Sequence, residues 1–430
     1  MDNYINIVIS GCTHGELDIL YKSVGELETQ SGKKVDLIIC CGDFQAVRNY
    51  GDLEYMHCPP KYRSLRTFYK YYSGIEKAPY LTIFVGGNHE ASSYLTELPH
   101  GGWVAPNIYY MGYSSVIQFG GLRIAGLSGI YNSYDFNKGH FECVPFTYQT
   151  TISTYHVRSI DMFRLKQLED SGKIDIMITH DWPTGITKYG NENELLRVKP
   201  YFREDIEKNK LGNPFTMELM KKLKPSYWFS AHMHCKFAAL VPHDNDTVTR
   251  FLALDKPIPG RQFLQFVSIS NPDNNEKILK YDETWLSILQ LTDHLTNLSS
   301  QEQYMPNESS NVARYNFKPT LEDKERVKKC FDNNFEIPNN FQMTAPPYIE
   351  KTDPEENKIE KSLSYENPQT AKFCQSLDII DINKIFYQKA NINNQGVCHY
   401  RLINVRSETF NNPIDEEIDI NDEDLFFEDA

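Results

Sequence analysis

Five short segments of this chain join small residues to metal-ligand types. They hold Cys12 and His14 (GCTHG, 11–15), Asp43 after Gly42, Asn88, His89 and Glu90 (GNHE, 87–90), His180 and Asp181, and His232 and His234 (AHMH, 231–234). Imidazole, carboxylate, amide oxygen and thiolate are ligands for divalent cations such as Zn²⁺, Fe²⁺ or Mn²⁺. Cys12 and His14 stand at i, i+2, as do His232 and His234. In extended backbone that spacing sends both side chains to one side. Each segment alone is weak evidence, because a histidine after a strand is commonly a structural residue and Gly-Asp is commonly a turn. Five of them in series point to one metal centre.

The elements that must position them are legible too. Apolar, β-rich runs at 5–10 (INIVIS), 35–41 (VDLIICC), 80–85 (YLTIFV), 174–179 and 227–230 each stop just before one of these segments. In α/β proteins, loops at the C-terminal edge of strands converge on one crevice. Helical spacing recurs at 16–29, 158–168 and 215–223, and 115–119 with 122–127 predicts a hairpin across Gly120 and Gly121. Further strands are expected at 251–254 and 263–269. The pattern predicts an α/β fold with mixed sheets. Beyond residue 270 a helix is expected at 282–295, a polar linker or exposed loop at 296–312, a helix at 321–331, a charged loop at 351–359 and a further element at 379–387.

Composition bounds the class. The chain has 430 residues, 40% hydrophobic and 24% charged, enough to bury a large core and to exclude a purely disordered protein. No apolar run reaches the roughly 18 residues of a membrane span, so no membrane partner is expected. The acidic start argues against a secretion signal. Nine scattered cysteines without a C-x-x-C pair argue against a zinc finger or a disulfide framework and suit a reducing compartment. The net charge of −14 would disfavour nucleic acid, but nine acids and no base stand in residues 414–430. A solvated acidic tail over 411–430 is expected there. Global charge therefore decides little about RNA.

The five segments resemble the calcineurin-like metallophosphoesterases, whose pattern is D-x-H, G-D, G-N-H-[ED], H and G-H-x-H. The resemblance implies a β-sandwich flanked by helices, with two divalent metals sharing Asp43. Cys12, His14 and His234 would complete one site, and Asn88, His180 and His232 the other. Water activated between the metals would attack phosphorus, and His89 would protonate the leaving oxygen. Cys12 stands where most of that superfamily has Asp, and Ala231 where it has Gly. A thiolate ligand favours Zn²⁺ or Fe²⁺ over Mg²⁺. The alternative is a small buried Cys12 beside a weak first site. Glu90 and Asp181 could orient imidazoles or cap helices.

Longer stretches at 65–95, 120–146, 154–168 and 251–266 are similar to the RNA lariat debranching enzymes. That resemblance implies hydrolysis of the 2′–5′ phosphodiester at the branch point of excised intron lariats, in the nucleus with shuttling to the cytoplasm as an option. It implies a catalytic domain over 1–270, a smaller C-terminal domain over 271–410 and a lariat recognition loop over 128–158. In that loop Tyr131, Phe136, His140, Phe141, Tyr155, His156 and Arg158 are candidate RNA contacts, through stacking and phosphate binding. Packing is the alternative for each aromatic. Tyr69 belongs to a second group with Lys61, Arg63, Arg66 and Lys70; if helical, Arg63, Arg66 and Lys70 would share a face, for RNA backbone or for solvent. A monomer is expected, and the C-terminal region would either pack against the catalytic domain and help shape the RNA groove or recruit splicing or RNA-turnover proteins. Another phosphoesterase, or a non-catalytic scaffold of the same fold, remains as the competing reading.

Overall fold

The computed structural model describes residues 4–244, 246–307, 314–350 and 364–392. The expected loop at 351–359 and the acidic tail lie outside the described residues.

Thirteen strands form two sheets among these residues. The first sheet contains β1 (Tyr4–Ser10), β2 (Leu37–Cys40), β3 (Thr82–Phe84), β4 (Gly102–Ala105), β5 (Ile108–Tyr110) and β12 (Leu264–Ser270). Its order is β12-β1-β2-β3-β5-β4, with β1, β2, β3 and β5 parallel. The second contains β6 (Ser114–Phe119), β7 (Leu122–Leu127), β8 (Ile176–Thr179), β9 (Tyr227–Ser230), β10 (Phe237–Pro242), β11 (Val248–Ala253) and β13 (Leu279–Tyr281). Its order is β10-β11-β9-β8-β7-β6-β13, with β7, β8, β9 and β11 parallel.

Strand periodicity explains the layers. Ile5, Ile7 and Ile9 of β1 and Leu37 and Ile39 of β2 meet Ile117, Ile124, Ile176, Ile178 and Phe229 of the other sheet. Val8 and Ile38 point the opposite way, onto the helix Leu17–Ser31 through Leu17, Leu20 and Val24. Both faces of the parallel strands are therefore buried, which is why they read as continuous apolar runs. The outer face of the second sheet packs Met177 and Trp228 against the helices Ser159–Lys166, Thr216–Leu223 and Glu283–Leu291. The result is the expected sandwich with helices outside.

Residues beyond 270 are built into the sandwich. β13 pairs with β6, and Trp285 and Ile288 enter the second core. Further on, the Arg48 guanidinium donates to Asp52, Glu97 and Thr344, and Thr344 donates to Glu97 at 2.6 Å. Gln369 accepts from the Trp103 amide at 2.8 Å and donates to its carbonyl at 2.9 Å. The polar stretch from 296 is not a free linker in its described part. The Gly139 amide donates to the Ser299 carbonyl at 3.0 Å, and the Gln303 amide to the Asn137 carbonyl at 2.7 Å.

The basic stretch 61–70 is not one helix. A 3-10 turn at Pro60–Tyr62 and a short helix at Phe68–Tyr72 flank irregular backbone, and Arg66 has φ 51°. Arg66 and Lys70 bond to Glu16 and Asp18, both at 2.7 Å, so no shared cationic face forms.

A candidate metal centre at the strand ends

β1, β2 and β3 lie side by side in one sheet, and β8 and β9 in the other. The five segments leave the C-terminal ends of these five strands, so the two sheets deliver them to one place. Single atoms of Cys12, His14, Asp43 and His234 lie within 4.8 Å of one another. His180 Nε2 is 3.3 Å from Asp43 Oδ1 and 3.1 Å from Asn88 Oδ1, and the His232 ring centroid is 4.9 Å from that of His180. All seven residues thus converge in two groups that share Asp43.

The local backbone is bent to achieve this. His14, Asp43, His232 and His234 all have left-handed φ, between 44° and 62°. Such conformations cost about 1–3 kcal/mol each and persist where the surroundings enforce them. The two ligand pairs therefore do not rest on simple extended alternation, as their spacing suggested. Glycine is required beside them: a Cβ on Gly42 would lie 2.1 Å from His180 Nδ1, and one on Gly87 2.2 Å from Asp43 Oδ1.

Hydrogen bonds orient the ligands. His180 Nδ1 donates to the Cys41 carbonyl at 2.8 Å, leaving Nε2 with its lone pair toward Asp43. His14 Nδ1 meets the Gln45 side-chain amide at 3.0 Å. The His232 amide donates to Cys12 Sγ at 3.3 Å. Burial lowers His14 and His232 to about 3 and holds His180 and His234 low as well, so these imidazoles stay neutral at neutral pH. Burial alone would raise Asp43, but His180, His89 and His14 pull its carboxyl well below the usual range. Burial and Asp43 push the Cys12 thiol well up.

These features fit a cation. His14 Nε2 and His234 Nε2 lie 3.0 Å apart as neutral rings. Asp43 Oδ2 and His234 Nδ1 are buried without a hydrogen-bond partner, which is costly unless a ligand engages them. The high thiol pKa reflects the protein alone; a bound cation reverses it.

His89 is 2% exposed and borders both groups. Its amide donates to Asp43 Oδ1 at 2.8 Å, and its Nδ1 donates to the His57 carbonyl at 2.8 Å. A carbonyl can only accept, so Nδ1 carries a proton.

Glu90 and Asp181 neither orient imidazoles nor cap helices. Glu90 accepts from the amides of Phe44, Gln45 and Gly87 at 2.7–3.0 Å, clamping the loop after β2 to the loop after β3. Burial and Asp43 push its carboxyl up to about 8, against these three donors. Asp181 accepts from the Trp182 amide at 2.8 Å and the Tyr131 amide at 3.3 Å.

The segment 128–158 differs from expectation in which side chains it presents. Arg158 is fully buried; it donates to the carbonyls of Gly139, His156 and Ser153 and to Glu142 at 2.5 Å. His156 bonds to Asp135 at 2.7 Å, and His140 to Asp161 at 2.8 Å while stacking on Tyr113. Phe136 stacks on Phe215 at 4.3 Å. Tyr155 is 7% exposed, with its hydroxyl 2.8 Å from His57 Nδ1. These five are scaffold rather than RNA-facing surface, because their polar atoms or ring faces are already engaged. Tyr131 is half-buried against Phe136 and Phe215, Phe141 half-buried near Arg158, and Tyr69 half-buried with its ring on Tyr348. The exposed aromatics of the segment are Tyr134 (74%) and Tyr148 (71%). Their type was visible in the sequence; their exposure was not. Gln45 and His57 also carried no signal of their own.

Comparisons with known proteins agree with this geometry. Residues 5–236 match the family model "Calcineurin-like phosphoesterase", and residues 246–382 match "Lariat debranching enzyme, C-terminal domain". The chain is 47% identical to the lariat debranching enzyme of Caenorhabditis elegans, over 98% of this chain and 86% of that protein. It is 48% identical to that of Homo sapiens, over 88% of this chain and 70% of that protein, and 48% identical to lariat debranching enzyme A of Xenopus laevis, over 88% and 71%. Two sheets that bring a phosphoesterase metal-ligand set to one edge, on a chain this similar throughout, place the protein in the lariat debranching enzyme family.

Proposed function

We propose that this protein hydrolyses the 2′–5′ phosphodiester at the branch point of excised intron lariats, releasing a linear RNA with a free 2′-hydroxyl and a 5′-phosphate. The observation that carries this reading is the intact ligand set on a chain about 47% identical to lariat debranching enzymes over nearly its whole length.

In this reading Cys12, His14, Asp43 and His234 hold one divalent cation, and Asp43, Asn88, His180 and His232 hold a second. When bound, such a pair supplies an activated water and neutralises charge on the phosphoryl oxygens. His89, acting as its imidazolium, would hand the Nε2 proton to the departing 2′-oxygen and be left neutral with its Nδ1–H on the His57 carbonyl. Glu90 keeps the loops bearing Asp43 and His89 at fixed separation. A thiolate in the first group selects Fe²⁺, Zn²⁺ or Mn²⁺ over Mg²⁺. Tyr134 and Tyr148, the exposed rings of the loop, would stack unpaired bases. The enzyme works as a monomer in the nucleus, with shuttling to the cytoplasm, and its C-terminal region recruits splicing or RNA-turnover proteins.

The test is cleavage of a synthetic branched RNA by purified protein with Mn²⁺, Fe²⁺ or Zn²⁺, beside a linear 3′–5′ control and His89→Ala. Cleavage confined to the 2′–5′ bond and lost in the variant is expected. Equal cleavage of the linear control, or none with metals bound, would move the assignment to another phosphoesterase or to a scaffold.

A further inference from the structure

His57 lies between the short helix Tyr50–Leu53 and the 3-10 turn Pro60–Tyr62, outside any regular element. It is the apex of a tight turn in which the Cys58 amide donates to the Met56 carbonyl at 3.0 Å. Helix or sheet pairing does not fix its carbonyl, yet that carbonyl receives His89 Nδ1–H at 2.8 Å. Its neighbours Met56 and Cys58 are anchored in the core on the outer side of the first sheet, while its own ring faces the segment 128–158. The His57 ring stacks on Tyr155 at 5.8 Å and 23°, its Nδ1 is 2.8 Å from the Tyr155 hydroxyl, and the exposed Tyr148 sets an edge against it at 6.1 Å. Two residues earlier, Tyr55 forms a small apolar cluster with Val144 and Phe146, separate from the three main cores. Tyr55 and the His57 ring thus join the turn to the loop residues 144–155, while Met56 and Cys58 join it to the core.

We propose that His57 and Tyr155 are positioning residues for the proton donor, coupling the RNA-facing loop to His89. This rests on the debranching reading above. RNA seated against Tyr148 presses on the His57 ring, and through it on the turn that carries the His57 carbonyl. That carbonyl fixes both the tautomer and the direction of the His89 ring, hence where Nε2 points. The proton donor is then correctly aimed when the loop is engaged, which favours a branched substrate over a phosphodiester that merely reaches the metals. Neither residue touches the reacting atoms; each acts through His89.

The experiment compares two substrates whose leaving groups differ in their need for a proton. A branched RNA releases an alkoxide and needs one. Thymidine 5′-p-nitrophenyl phosphate releases a stabilised phenolate and does not. Tyr155→Phe removes one oxygen and keeps the ring, so folding is not at issue; His57→Ala keeps the backbone carbonyl but frees the turn. Both variants should lose kcat on branched RNA, by up to about a hundredfold for an ångström of misplacement, with KM little changed. Both should retain hydrolysis of the aryl ester, the signature His89→Ala must also give. A parallel fall on both substrates, a rise in KM alone, or no change on either overturns the coupling. Parent enzyme that cleaves the aryl ester but not branched RNA overturns the debranching reading itself, and the coupling with it.

Discussion

Around Asp43, buried polar atoms are left without protein partners; around Arg158, all three guanidinium nitrogens are matched. Both places are buried, charged and built from residue types that bind ligands. The difference lies in satisfaction. An orphaned buried oxygen marks where something from outside completes the structure, whereas a saturated guanidinium marks a joint within it. By that criterion the strand-end cluster is a binding centre and the base of the 128–158 loop is scaffold.

This contrast can be broken at several points. The largest effect is expected from Asp43→Ala, which removes the carboxylate common to both ligand groups. The several kcal/mol that metal ions contribute to phosphoryl transfer correspond to at least about a thousandfold in rate. Cleavage assays with metal analysis should show both cations lost together; loss of one alone would refute the shared role. Next is Arg158→Ala. Removing one partner of a buried pair costs about 3–5 kcal/mol, so the thermal melting temperature should fall clearly. A variant that melts normally but binds branched RNA poorly would make Arg158 an RNA contact after all.

Smaller effects sharpen the contrast. Tyr134→Ala and Tyr148→Ala should leave melting unchanged. Each should weaken branched-RNA binding by about 1–3 kcal/mol per stacked base, read as a rise in KM, and Tyr148→Ala should also lower kcat through its contact with His57. The smallest change is expected from Cys12→Asp, which keeps an anionic ligand. It should retain cleavage with Mn²⁺ and lose preference for softer ions, while Cys12→Ala should lose metal. Equal metal content in both variants would show that Cys12 only fills space.

The strand-end cluster was legible in sequence because its chemistry restricts residue types. Runs such as INIVIS and VDLIICC announce strands buried on both faces, glycine stops them, and Gly42 and Gly87 stand where no side chain fits. The loop was not legible in the same way. His140, His156 and Arg158 have the same composition whether they face RNA or pair with Asp161, Asp135 and Glu142; only burial separates the two. Left-handed backbone at His232, His234 and Arg66 was also beyond a pattern of spacings. The packing of 297–303 on 137–139 escaped notice because polar composition says nothing of backbone pairing.

The antiparallel pairing of β1 with β12 has a consequence for synthesis. β1 is completed at Ser10, but the strand that covers its outer edge ends at Ser270. At about 5–20 residues per second, the nascent chain carries an uncovered, almost wholly apolar edge for roughly ten to fifty seconds. Such an edge is a template for pairing with other chains. His232 and His234 likewise emerge long after Cys12 and His14, so early fragments cannot assemble the first ligand group. A ribosome that stalls before residue 232 would therefore release a product with the outer edge of β1 uncovered and the first ligand group incomplete.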